Sequence, residues 1–163
     1  MAKRPLIARF LIALVAISLV ACSSDPTPPS DLLLSGADFP EMNLTEIVQE
    51  TGSNNDEAPA VQVQLRANGF IILQSLVLFE NRDLALEILT SIKRDQTAQG
   101  VTSVPVDGFE DNSGVMMERS ENSRNSTVFF VEGRALVKIT VSGEEASASI
   151  WEIAARARER SAG

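Results

Sequence analysis

The sequence predicts an α+β fold: an antiparallel sheet of about five to six strands with two helices packed on one face. Two observations carry that expectation. Apolar and polar residues alternate with period two in several short segments bounded by turn residues, while two longer segments keep an apolar stripe at helical spacing. Their order, strands then helix then strands then helix, is that of helices gathered beside an antiparallel sheet.

Apolar content marking the start of a domain over residues 32–163 returns at Leu32-Leu33-Leu34 and Phe39. The stretch Asn43-Leu44-Thr45-Glu46 has two readings. Asn43 and Glu46 suit the reciprocal cap of a short helix, and Leu44 to Val48 suit an edge strand, the preferred reading. A polar loop follows from Thr51 to Glu57. Val61, Val63 and Leu65 alternate with Gln62, Gln64 and Arg66, as in a half-buried strand. Asn68-Gly69 then forms a hairpin turn, since both residues tolerate positive φ. Phe70 to Phe79 is apolar on both faces and belongs in the middle of the sheet.

Asn81 is placed to cap the first helix. Leu84, Ala85, Ile88, Leu89 and Ile92 share one face of it, and Gly100 ends it. Val101 to Val106 is a short extended piece, and Val115-Met116-Met117 mark a further strand. Thr127–Val131 and Ala135–Val141 are strands joined through Glu132-Gly133. Ser142-Gly143-Glu144-Glu145 is a capping box opening the last helix, with Ala146, Ile150, Ile153, Ala154 and Ala157 as its buried stripe. Arg156, Arg158 and Arg160 complement the negative end of that helix. Trp151 lies beside the stripe, where packing against the sheet edge is expected.

Residues 1–21 stand apart from this domain. Lys3, Arg4 and Arg9 precede an apolar run from Phe10 to Val20 that only Ser18 interrupts, and small Ala21 follows. That order is characteristic of a secretory signal. Eleven helical residues rise about 16 Å, whereas a membrane span needs about 20 residues. The closing Leu19-Val20-Ala21-Cys22 resembles the lipobox of bacterial lipoproteins. The resemblance implies that the Cys22 sulfur carries a diacylglycerol, that residues 1–21 are cut away, and that Cys22 begins the mature chain. It also implies the extracytoplasmic face of a bacterial cell envelope, and Ser23 is compatible with the outer membrane in a cell that has two. Each buried methylene contributes about 0.8 kcal/mol, so two or three acyl chains tether a protein durably. Residues 22–31 are then the lipidated cysteine and a proline-rich spacer, whose nine residues after Cys22 reach roughly 28 Å in polyproline geometry.

Composition narrows the chemistry. The chain holds 14 basic and 22 acidic residues; the leader takes three of the basic ones and no acid, leaving −11. Such a charge argues against nucleic-acid partners and against broad docking on anionic headgroups. Cys22 is the only cysteine, so no disulfide forms within the chain. Histidine and tyrosine are absent, which removes Ser-His-Asp and Cys-His catalysis, histidine-ligated metals and phenolic acid–base chemistry.

Few candidate sites remain. Asp107, Glu110, Asp111 and Asn112 surround Gly108 in an acidic turn of the kind hard cations use, but Phe109 occupies a ligand position and an ordinary solvated turn is the expectation. Asn54, Asp56 and Glu57 are a lesser cluster of the same sort. A Ser-Lys hydrolase needs Lys93 or Lys138 beside a serine in a desolvated cleft. No catalytic residue, resident metal or cofactor is therefore expected. The element order resembles small sensor-type domains of bacterial lipoproteins. The resulting expectation is a membrane-anchored, non-catalytic binding or sensor domain that meets an envelope protein or a small ligand. The alternatives are a carrier of lipid or apolar ligands, and a hydrolase.

Overall fold

The computed structural model describes residues 27–51, 58–67, 69–105, 114–118, 125–143 and 146–162. Cys22, the acidic turn at residues 107–112 with Asp107, Glu110 and Asp111, the cluster at 54–57, and Glu144-Glu145 of the capping box lie outside them. The fold is α+β, built on one antiparallel sheet. Its strands are β1 (Thr45–Thr51), β2 (Ala60–Ala67), β3 (Phe70–Leu78), β4 (Thr102–Pro105), β5 (Gly114–Glu118), β6 (Asn125–Glu132) and β7 (Ala135–Ser142). They lie in the order β1-β2-β3-β7-β6-β5-β4. The sheet thus has seven strands, not five to six, because both the short piece before Pro105 and the segment at Thr45 join its edges.

Local signals set the hairpins. Ala67 pairs with Phe70 across a two-residue loop in which Gly69 has φ +74°. Glu132 pairs with Ala135 across Gly133-Arg134, where only Gly133 has positive φ, as a type II′ turn requires. Asn43, at φ +46°, turns the chain into β1, so this stretch is a strand preceded by a left-handed residue and not a capped helix.

Helix α1 (Arg82–Ala98) starts where Asn81 Oδ1 accepts the Leu84 amide at 2.9 Å. It ends in a Schellman arrangement: Val101 N donates to Gln96 O and Gly100 N to Thr97 O, with Gly100 at φ +76°. The crossover carries the chain from the centre of the sheet to its far edge, so that β4 runs parallel to β3 without touching it. Helix α2 (Ala146–Ser161) follows β7, and Ile150, Ile153, Ala154 and Ala157 are buried along it.

The two helices pack on opposite faces of the sheet, which corrects the expectation of a single helical layer. Val128 and Phe130 of β6 and Val137 and Ile139 of β7 pack with α2, whereas Phe129, Val131 and Leu136 pack with Ala85 and Leu89 of α1. The reason is steric supply. β6 and β7 are apolar on both faces at this point, and one layer can cover only one of them. The α2 face has no room for a second helix in any case. A strap from Pro29 to Leu44, with 3₁₀ turns at Pro29–Leu32 and Gly36–Asp38, covers β2 and β3 there and buries Leu32, Leu33, Leu34 and Phe39.

Buried Gln74 of β3 fastens the strap, its Oε1 accepting the Leu34 amide at 2.7 Å. Helix α2 clamps it from outside. Arg160 Nε donates to Leu33 O at 3.0 Å, and Arg156 donates to Asp38 O while its guanidinium sits 4.8 Å from the Phe39 ring centre. Trp151, beside the buried stripe of α2, is 39% exposed. Arg158, by contrast, reaches the sheet end and pairs with Glu132 at 2.7 Å.

Candidate functional site

The α1 face is not fully covered. The helix lies over β6 and β7 near the β6–β7 turn, and its last turns stand over a recess in the sheet. This groove has a volume of about 290 Å³. Its floor comes from three adjacent strands whose register aligns the side chains in rows. Leu73, Thr140 and Thr127 form one row, and Lys138 faces Phe129 in the next. Asn125 closes the end toward the β2–β3 hairpin, and Gln96 of α1 forms the wall.

Each lining residue is where it is for a local reason. Strand alternation that buries Val128, Ile139 and Val141 on the α2 face must turn Thr127, Lys138 and Thr140 to the other face. Thr127 and Thr140 are cross-strand partners joined through their hydroxyls at 3.1 Å. Lys138 is exposed, and its ammonium stands 5.7 Å from the centre of the Phe129 ring. No described carboxylate comes within ion-pair distance of it. Among the described residues the groove therefore offers one cation, four neutral hydrogen-bonding side chains and an apolar strip of Leu73 and Phe129. That set suits recognition of a small molecule: an apolar surface with a few polar groups that fix orientation.

Of the residues singled out in the sequence, Lys138 is in the groove and Lys93 is half-buried on α1. The register sets Ser75 directly opposite Lys138 on β3. Its hydroxyl, however, donates to Gln62 Oε1 at 3.2 Å, and Lys138 is solvated, whereas a lysine base needs a dry pocket. Met116 of β5 is in register with Val128, and Met117 with Thr127. Among the described residues no group of three or more acidic, Cys or His side chains is placed to hold a metal ion. Phe129, Thr140 and Gln96 had no mark in the sequence, and Asn125 and Thr127 stood out only as the ends of a chance Asn-Ser-Thr glycosylation match. Only the pairing of β3, β7 and β6 brings them together, although the outward phase of Thr127-Val128-Phe129 was readable.

A second recess, of about 260 Å³, lies at the opposite end of the sheet between Thr27, Leu78, the Gly133-Arg134 turn and Ser161. A third, of about 430 Å³, is bounded by Asp38, Arg156, Glu159 and Arg160, where the arginines are engaged with the strap. No described helix is long and apolar enough to cross a membrane. No protein-family model matches the chain, and a comparison with curated proteins finds no match.

Proposed function

We propose that the protein is a lipid-anchored extracytoplasmic lipoprotein whose domain binds a small ligand without transforming it. The observation that carries this reading is Leu19-Val20-Ala21-Cys22 closing a basic and then apolar leader, the coincidence of parts a lipid-modified cysteine requires. The groove beside α1 is the binding site, because it joins hydrogen-bonding groups to an apolar floor. The absence of histidine and tyrosine, together with a solvated Lys138, supports a non-catalytic role.

The fold gives this reading a geometry. Thr27, five residues beyond Cys22, sits at the β6–β7 turn end of the sheet, and the groove lies toward the β2–β3 hairpin end. Five residues span at most about 17 Å. An anchor on Cys22 would therefore keep the turn end nearer the membrane than the part of the sheet that carries the groove. Metabolic labelling with a radioactive fatty acid tests the anchor. Label on the chain, lost in Cys22→Ser together with release from the membrane fraction, is the expected outcome; an unlabelled and freely released wild-type chain rejects it. A carrier of apolar ligands is the second reading, favoured by Leu73 and Phe129 in the groove. Mass spectrometry of the purified protein for lipid beyond the chains on Cys22 separates the two.

A further inference from the structure

The charges borne by the strands are sorted by face. Pairing across the sheet puts Glu46 and Glu132 on the α2 side and assigns Arg66 and Lys138 to the α1 side. Both acids have clear structural work there: Glu46 accepts the Gly36 amide of the strap, and Glu132 pairs with Arg158 of α2. Among the strand residues whose side chains are described, none on the open face is a carboxylate, in a domain whose expected mature charge is −11. Lys138, the only charged residue among the described residues lining the groove, stands on that face with an aromatic ring as its partner.

We propose that the groove takes a small organic monocarboxylate with an apolar body, its carboxylate on the Lys138 ammonium. The inference rests on the binding role proposed for this groove and names the ligand class. Several features select that class. A single lysine is a point charge suited to one anionic group, and the further oxygens of a phosphate want guanidinium forks, helix N-termini or nests of backbone amides beside it, none of which the described lining supplies. The helix end above the groove is the C-terminus of α1, whose partial charge is negative. It turns the anionic group toward Lys138 and Phe129 and the neutral end of the ligand toward Gln96 and Asn125. Leu73 and the Phe129 ring give the apolar body its contact, and Thr127 and Thr140 stand between the two ends with hydroxyls to share. At about 290 Å³ the groove is at the small end of ligand pockets, which begin near 300 Å³. It fits an aromatic or short-chain acid better than a long acyl chain.

The test is calorimetric titration of the full-length, membrane-anchored chain in lipid nanodiscs with sodium benzoate, and with benzamide as its neutral counterpart. Benzoate binding about tenfold tighter than benzamide is expected, since a hydrogen bond to a charged group exceeds a neutral one by about that factor. Lys138→Met removes the preference, Lys138→Arg retains it, and Lys93→Met leaves it unchanged. Thermal midpoints of the variants establish that each is folded, as the exposure of Lys138 leads one to expect. Equal binding of the two probes, no binding of benzoate, or a preference that survives Lys138→Met overturns the assignment. Fatty-acid labelling of Cys22 is read in the same preparation. Labelled protein that ignores benzoate leaves the anchorage standing and removes the ligand class, while unlabelled protein that binds benzoate does the reverse.

Discussion

The two faces of the sheet are made of the same strands and have opposite fates. On the α2 side Val63, Leu65, Ile72, Leu76, Val137 and Ile139 are almost inaccessible, covered jointly by a helix and by the strap. On the α1 side, among the described residues, only the corner at Val131 and Leu136 is sealed, and the remaining surface is half-buried to exposed and mixed in character. Covering a sheet takes more than one helix. Where a strap completes the layer the surface becomes core, and where α1 stands alone a recess is left. The lesson is that the groove is a by-product of incomplete cover, and its chemistry is that of strand residues facing outward.

The comparison can be broken most forcefully by paired substitutions on β6. Phe130→Ala, at a fully buried position on the α2 side, should cost about 3–5 kcal/mol in urea unfolding. Its neighbour Phe129→Ala, half-buried beside the groove, should cost about 1–2 kcal/mol. Equal losses would mean that the faces do not differ as described. Gly143→Ala comes next. Gly143 has φ +145°, and a Cβ there would meet Gly69 O at 2.9 Å and the Phe70 ring at 3.2 Å. The junction of β7 with the β2–β3 hairpin would have to shift, with an expected loss of about 1–3 kcal/mol in thermal or chemical unfolding.

A smaller effect isolates the strap. Arg156→Ala removes the bond to Asp38 O and the contact with Phe39, for about 1 kcal/mol, while its exposed pairs with Glu41 and Glu152 add little. Hydrogen exchange should quicken at amides 33–39 and stay unchanged in β6 and β7. Smallest of all, Lys138→Met should alter stability by no more than about 0.5 kcal/mol, since the side chain is exposed. A large loss there would give Lys138 a structural role and weaken its assignment to a ligand.

Features decided within a few residues were legible in the sequence. Asn81 capping α1, Gly100 ending it, the two-residue hairpin at Gly69 and the stripe Ile150, Ile153, Ala154, Ala157 all follow from local chemistry. The side on which α1 packs was not, because strand–helix–strand order alone permits either face. The clue lay in Thr127–Val131 and Ala135–Val141, where alternate residues are apolar on both sides near the turn. Leu32, Leu33, Leu34 and Phe39 announced the start of the domain but not that they would serve as a cover, which depends on the distant partners Gln74, Arg156 and Arg160. The candidate site was the least legible part. Lys138 could be picked out by type, but its neighbours could be known only from the register of three strands.

The clamp between strap and final helix has a mechanical consequence. If the chain is held through Cys22, any drag on the domain enters it at Thr27 and passes first into the segment carrying Leu32 to Leu34. That segment transmits the pull sideways into α2 through Arg160 and Arg156 and into the middle of the sheet through Gln74. Force is thereby spread over several bonds strained in parallel, and no strand edge is peeled one bond at a time. A domain tethered in this way should resist stretching along its N-terminus far better than along a line drawn through the Gly69 hairpin, a difference that pulling single molecules from the two points would measure.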